Sequence, residues 1–140
     1  MNRNSIQRKP PSRLLLATLA VAITLGLSAA WTAVAVITGS LAAWMALVAA
    51  VDAAVLLRVA GHRPGMARAA AGLSITLATI ACSAVLVAAA RIGQELGMRP
   101  VAALDRISAE MVPMWLAAQL GPTDLAWLAA GAVLAFLGSR

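Results

Sequence analysis

Few side chains in this sequence could do chemistry, and they lie far apart. The chain has one histidine, His62, and one cysteine, Cys82. A four-ligand zinc site needs more His and Cys side chains than a single copy supplies, and a lone cysteine excludes an intrachain disulfide. A predicted membrane span separates His62 from any Ser of the loop at 91–122, so no catalytic triad is expected. We therefore expect no metal site, no bound cofactor and no enzymatic activity.

Asp52 is the residue most capable of a specific role, because it is the only charged side chain between Leu14 and Leu57. A carboxylate within a membrane costs at least ~2.5–3.5 kcal/mol on insertion scales and is a functional-site candidate by default. One interpretation is a relay for protons or cations. The other is an aspartate that joins helices through a hydroxyl group, and the candidate partners are Thr18, Thr24, Ser28, Thr32, Ser74, Thr76, Thr79 and Ser83. No second acidic or basic residue lies in the interior of a predicted span, since Arg58 and Asp124 fall at span ends, which favours the structural interpretation.

The elements that must position Asp52 are membrane helices. The hydrophobic fraction is 62% and the charged fraction 11%, against about 45–50% and about 25% in soluble domains. About 20 mostly apolar residues cross a hydrocarbon core of roughly 30 Å. The apolar stretches predict spans at approximately 14–37, 41–58, 69–90 and 123–139. We expect an all-α membrane protein, a single integral membrane domain over residues 1–140 with four transmembrane helices.

The first span also resembles a cleavable signal peptide. A basic segment precedes it, formed by Arg3, Arg8, Lys9 and Arg13. The stretch from Leu14 to Leu27 could be the apolar region of such a peptide, and Ser28-Ala29-Ala30 resembles a small-residue cleavage site. The apolar run continues to Ile37, however, which is longer than a signal peptide needs. A retained signal anchor is the favoured interpretation.

The distribution of charge predicts the orientation. One face of the predicted bundle receives eight basic residues and no acidic residue: Arg3, Arg8, Lys9, Arg13, Arg58, Arg63, Arg68 and Arg140. The other face receives a nearly balanced set: Arg91, Arg99, Arg106, Glu95, Asp105, Glu110 and Asp124. The positive-inside rule makes the basic face cytoplasmic, so both termini should be cytoplasmic. Ten arginines against one lysine, with abundant alanine, are typical of a GC-rich bacterial genome, which indicates a multi-pass protein of the bacterial cell inner membrane.

Tryptophan positions agree with this orientation. All four fall toward the outer ends of their spans or in the outer loop: Trp31, Trp44, Trp115 and Trp127. Indole rings favour the membrane interface, where an apolar body meets a polar N–H group. The four side chains therefore suggest an aromatic belt on one side, although ordinary packing is an open alternative for Trp31.

The outer loop is predicted to contain a short amphipathic helix at approximately 101–119. Pro100 suits a helix start, and apolar residues such as Leu104, Ile107 and Met111 recur at helical spacing and should be shielded from water. Pro113 should kink this helix or start a second one. Amphipathicity alone does not distinguish an interfacial helix from a lid or a partner-docking element. Of these alternatives, the interfacial helix is favoured.

Small residues at helical spacing predict close packing between helices. Three such ridges occur: Ala42, Ala46, Ala50 and Ala54; Ala22, Gly26 and Ala30; Gly131 and Ala135. Residues two apart on a helix point about 200° apart, so Asp52 lies nearly opposite Ala50 and Ala54. Span two should therefore be central in the bundle, or Asp52 should lie in an oligomer interface.

The expected partners follow from charge and class. The pI is about 11.6, but no aromatic residues accompany the basic ones as single-stranded nucleic-acid binding requires, so no nucleic acid is expected. Anionic lipid at the cytoplasmic face is the nearer partner, at roughly 1 kcal/mol per basic residue. The favoured function is a structural or accessory component of a membrane complex, as a homo-oligomer or with another membrane protein. The alternative is a small transporter or proton-coupled subunit that uses Asp52.

Overall fold

The computed structural model describes residues 13–108 and 110–140, and every regular element there is an α-helix. The helices are α1 (Arg13–Thr38), α2 (Met45–Val59), α3 (Met66–Glu95), α4 (Pro100–Leu104), α5 (Met111–Gln119) and α6 (Pro122–Gly138). Three residues of the predicted basic segment, Arg3, Arg8 and Lys9, lie outside the described residues.

Two of these helices are long and apolar enough to cross a membrane on their own. They cover Leu14–Thr38 and Met66–Glu95, with mean hydropathies of 2.1 and 2.2. Their high apolar content and the absence of proline leave nothing to interrupt either helix. Both match predicted spans, and α3 extends beyond its predicted bounds at each end.

The other two predicted spans correspond to shorter helices. At 1.5 Å per residue, the 15 residues of α2 reach about 22 Å. Helix α2 begins later than predicted because the chain turns at residues 41–44, where Ala42 has a φ of 49°. Helices α5 and α6 meet at 108° and qualify as one bent span only when taken together. Length and composition thus give two candidate spans, or three with the bent pair, where the sequence predicted four.

Helix α3 is the centre of the structure, since it contacts each of the other five helices. Helix α1 packs almost entirely on α3 and barely touches α2, whereas α2 packs on both α6 and α3. The central position therefore belongs to α3, and the prediction that span two is central in the bundle is wrong.

Helices α2 and α6 pack closely against each other. The predicted ridge at Ala42, Ala46, Ala50 and Ala54 is buried. A methyl group built on Gly131 would lie 2.7 Å from Ala46 Cβ and 2.9 Å from its carbonyl oxygen, so the two backbones are in direct contact. The predicted ridge on α1 behaves differently, because Ala22, Gly26 and Ala30 are exposed and face no helix within the described ranges.

The outer loop forms two short helices in place of the one predicted at 101–119. The chain leaves helical geometry between α4 and α5. Pro113 falls in the first turn of α5, where a backbone N–H has no acceptor within the helix and its absence in proline costs no hydrogen bond. Both α4 and α5 pack on α3. Ile107 is half-buried, but Leu104 and Met111 are 39% and 43% exposed, so the predicted shielded face is only partly covered by the protein.

Arginine side chains hold the end of α6 beside the start of α3. Arg68 donates hydrogen bonds from Nε to the Ser139 carbonyl oxygen and from Nη2 to that of Arg140, and Arg58 donates to that of Gly138. Cations near the last carbonyls of a helix are favoured by its dipole. We call this region, which contains Arg58, Arg63, Arg68 and Arg140, the basic end of the bundle.

Candidate functional site

Asp52 lies in α2 on the side away from the alanine ridge. Because Ala50 and Ala54 pack toward α6, the helical rotation between neighbours turns Asp52 to the opposite side. There its half-buried side chain lines an open groove of about 480 Å³. The other walls of this Asp52 groove are apolar and come from α1 and α2: Leu27, Leu47, Val48, Val51 and Val55.

Asp52 forms no hydrogen bond or ion pair with residues 13–108 or 110–140. Six of the eight hydroxyl groups considered as its partners donate to backbone carbonyls one turn earlier in their own helices: Thr18, Thr32, Ser74, Thr76, Thr79 and Ser83. Ser28 reaches across to α3 and donates to the Thr79 carbonyl oxygen at 3.3 Å. The Ser28 hydroxyl therefore joins α1 to α3, and none of these hydrogen bonds reaches the Asp52 carboxylate.

The remaining candidate residues do not assemble into a site. Cys82 is a half-buried free thiol in α3, and His62 is exposed in the loop at the basic end. Across the described part of the chain, no group of three or more His, Cys, Asp or Glu side chains could hold a metal ion. None of these residues joins Asp52 in a cluster, and a carboxylate in such a groove could accept a hydrogen bond or pair with a cation.

A second feature, which the sequence did not reveal, lies at the end of the bundle opposite the basic end. An apolar cavity of about 190 Å³ opens between the helices there, and we call it the Trp31 cavity. It is lined by Trp31, Leu41, Ala43, Ile80, Ser83, Ala84, Val87, Leu116, Leu120 and Leu128. Trp31 is 4% exposed and donates its indole N–H to the Leu41 carbonyl oxygen at 2.9 Å. Trp31 is therefore a packing residue, whereas Trp44 and Trp127 are exposed as members of an interfacial belt would be.

A polar cavity of about 240 Å³ adjoins the Trp31 cavity and shares Leu41 as a wall. We call it the Arg91 cavity, and its other lining residues are Gly39, Ser40, Arg91, Trp115, Gln119 and Asp124. The Asp124 carboxylate accepts a hydrogen bond from the Gly121 N–H at 3.1 Å and so caps α6. The helix begins at Pro122, and Gly121 is its N-cap residue.

Arg91 is the free cation of this cavity. Its guanidinium forms no hydrogen bond or ion pair within the part of the chain that the structure describes, and the side chain is only half-buried. In the sequence, Arg91 was one of several charges on the outer face. Its neighbours Gly39 and Asp124 come from distant positions, so no spacing pattern could bring the three together.

No protein family model, curated protein or solved structure matches this chain. The function must therefore be inferred from the geometry of its own residues. Two features of that geometry are specific enough to use, namely the Asp52 groove and the paired cavities at the opposite end.

Proposed function

We propose that the protein is a small polytopic protein of a bacterial inner membrane and serves as a structural or accessory component of a membrane complex. The observation that carries the proposal is the unpartnered Asp52 carboxylate in an open apolar groove. In this proposal, a transmembrane helix of another subunit occupies the groove and supplies Asp52 with a cation or a hydrogen-bond donor.

The free-energy cost of placing a carboxylate within a membrane supports this proposal. Asp, Glu, Lys and Arg side chains within a membrane usually face the bundle interior or pair with one another. Asp52 pairs with no charged side chain among residues 13–108 and 110–140, and its half-buried side chain lines an open groove. The groove walls include Val48, Val51 and Val55, whose exposed apolar side chains can pack against a helix. A partner helix would therefore gain both packing and one charge-assisted hydrogen bond.

The proposed topology is a four-helix bundle in which α1, α2, α3 and α6 each cross the membrane and both termini are cytoplasmic. The shortness of α2 is compatible with crossing, because Arg58 at its end can extend its side chain to the headgroups. The clustering of arginines at the basic end supports a cytoplasmic position for that end, in contact with anionic lipid.

Photo-crosslinking in native membranes tests the proposed interface. A photoreactive amino acid at Val55, in the Asp52 groove, should give a discrete crosslinked species of higher mass. The same group at Val85, an exposed valine on α3 that lines no cavity described above, is the matched control and should crosslink only lipid. Asp52→Leu should abolish the Val55 product, whereas Asp52→Asn, which preserves shape and hydrogen bonding, should retain most of it.

The result of this experiment separates the accessory role from its alternative. Equal crosslinking at Val55 in wild type and Asp52→Leu would contradict the proposed role of Asp52 in assembly. The alternative, a small transporter or proton-coupled subunit, is supported if wild-type proteoliposomes conduct protons or cations and Asp52→Asn abolishes that flux while the crosslinked product persists.

A further inference from the structure

The geometry at the end of the bundle opposite the basic end points to a binding site for an anionic amphiphile with a single apolar chain. We propose that the chain enters the Trp31 cavity and that a carboxylate or phosphate group binds Arg91 in the adjoining Arg91 cavity. This inference is independent of the Asp52 groove and of the proposed accessory role.

The Trp31 cavity suits an apolar chain because its polar atoms are already satisfied. The Trp31 indole N–H donates to the Leu41 carbonyl oxygen, and the Ser83 hydroxyl donates to the Thr79 carbonyl oxygen at 2.7 Å. The remaining lining side chains are aliphatic. A polar group placed in this cavity would lose its hydrogen bonds to water without replacement, so only apolar atoms are favoured there.

The Arg91 cavity suits an anion because Arg91 is the one free cation among the described residues that line it. The guanidinium has five N–H donors in a planar arrangement that matches a carboxylate or phosphate group. Asp124 also lines this cavity, but its carboxylate is held at the N-terminus of α6, whose dipole offsets the negative charge. Gln119, an exposed amide on the same wall, offers a further donor.

The combined size and the adjacency of the two cavities favour a small amphiphile. Ligand pockets typically have volumes of about 300–1,000 Å³, mostly apolar walls and a few polar groups that fix orientation. Cavities of about 190 and 240 Å³ fall below that range separately, and the two together, with Leu41 as a common wall, reach its lower part. One apolar chain with an anionic head matches this division into an apolar and a charged half.

Fluorescence quenching by brominated amphiphiles tests the site. The experiment uses the double variant with Trp44→Phe and Trp127→Phe. These substitutions remove the two exposed indoles and leave Trp31 and Trp115 at the cavities. In phosphatidylcholine nanodiscs, a brominated fatty acid should quench at about tenfold lower concentration than the brominated alcohol of the same length, a difference of about 1.4 kcal/mol. Arg91→Gln should abolish this difference, and Arg91→Lys should preserve part of it.

Two controls exclude nonspecific partitioning and misfolding. Arg99→Gln removes an exposed arginine that lines neither cavity, and should leave the preference for the acid unchanged. Ala84→Leu should fill the Trp31 cavity and weaken quenching by both probes, whereas Ala81→Leu, on the exposed side of α3, should not. A brominated alkyl phosphate that binds more tightly than the acid would identify a phosphoryl head. Equal quenching by acid and alcohol in the wild type, or an unchanged preference in Arg91→Gln, would overturn the proposal and assign the quenching to bulk lipid.

Discussion

Gly131 illustrates how much of this structure depends on the absence of a single methyl group. Its Cα faces the backbone of Ala46, and a Cβ there would approach the Ala46 carbonyl carbon and oxygen at 2.9 Å. Backbone atoms of a helix cannot move aside as a flexible side chain can. In lipid, where apolar burial drives association weakly, such close backbone contact is the main attraction between helices.

We expect Gly131→Ala to destabilise the protein by about 1–3 kcal/mol, the usual cost of overpacking. Gly26→Ala is the matched control, because a Cβ at Gly26 meets no atom within 4 Å. Alanine is preferred to glycine inside a helix by roughly 0.5–1 kcal/mol, so Gly26→Ala should be neutral or stabilising. The free energies of unfolding of both variants can be measured in mixed micelles with an increasing fraction of a denaturing detergent. Equal destabilisation by the two variants would contradict the α2–α6 contact.

At the scale of elements, the parts predictable from sequence were those set by local apolar content. Helices α1 and α3 follow from uninterrupted apolar residues, and the buried alanine ridge of α2 follows from its spacing. Pro113 indicated a second helix as one alternative, but the position of the break between α4 and α5 was not predictable, since apolar spacing continues through it. A straight 19-residue helix would extend about 28 Å, whereas two short helices both pack on α3. The paired cavities also depend on this arrangement, because α5 meets α6 at 108°. Their walls come from α1, the loop between α1 and α2, α3, α5, α6 and the connection between α5 and α6.

Cysteine accessibility tests the folded loop. In a Cys82→Ser background, Ala103→Cys should react slowly with an aqueous maleimide, because Ala103 is 0% exposed where α4 packs on α3. Asp105→Cys, in the exposed turn that follows α4, should react at least tenfold faster, because a buried cysteine reacts only when the structure around it opens locally. Equal rates at the two positions would mean that α4 is not docked on α3.

For the whole molecule, the two ends differ in chemistry. Arg58 and Arg68 hold the end of α6 at the basic end, and residues from the start of α1 share a cavity there with His62. Arg91 and Asp124 lie together at the opposite end. The fold therefore sorts an arginine-rich end from a charge-balanced end, which is the asymmetry that the positive-inside rule acts on.

Reporter fusions test the proposed crossing of all four helices. Fusions after Gly65 and after Arg140 should report the cytoplasm, and fusions after Glu95 and Asp105 should report the periplasm. Because the end of α6 lies beside the start of α3, the first two must share a compartment. Fusions after Gly65 and Arg140 that report different compartments would contradict the four-span topology.

The central position of α3 has a consequence for the order of assembly during synthesis. Chains emerge N-terminus first at about 5–20 residues per second, so α1 and α2 precede the helix on which they both pack. The first two helices barely touch each other, and neither can complete its packing until α3 arrives. The alanine ridge of α2 waits longer still, because its partner α6 is made after α3. The contact between α2 and α6 can therefore form only when α1 to α5 have already been made.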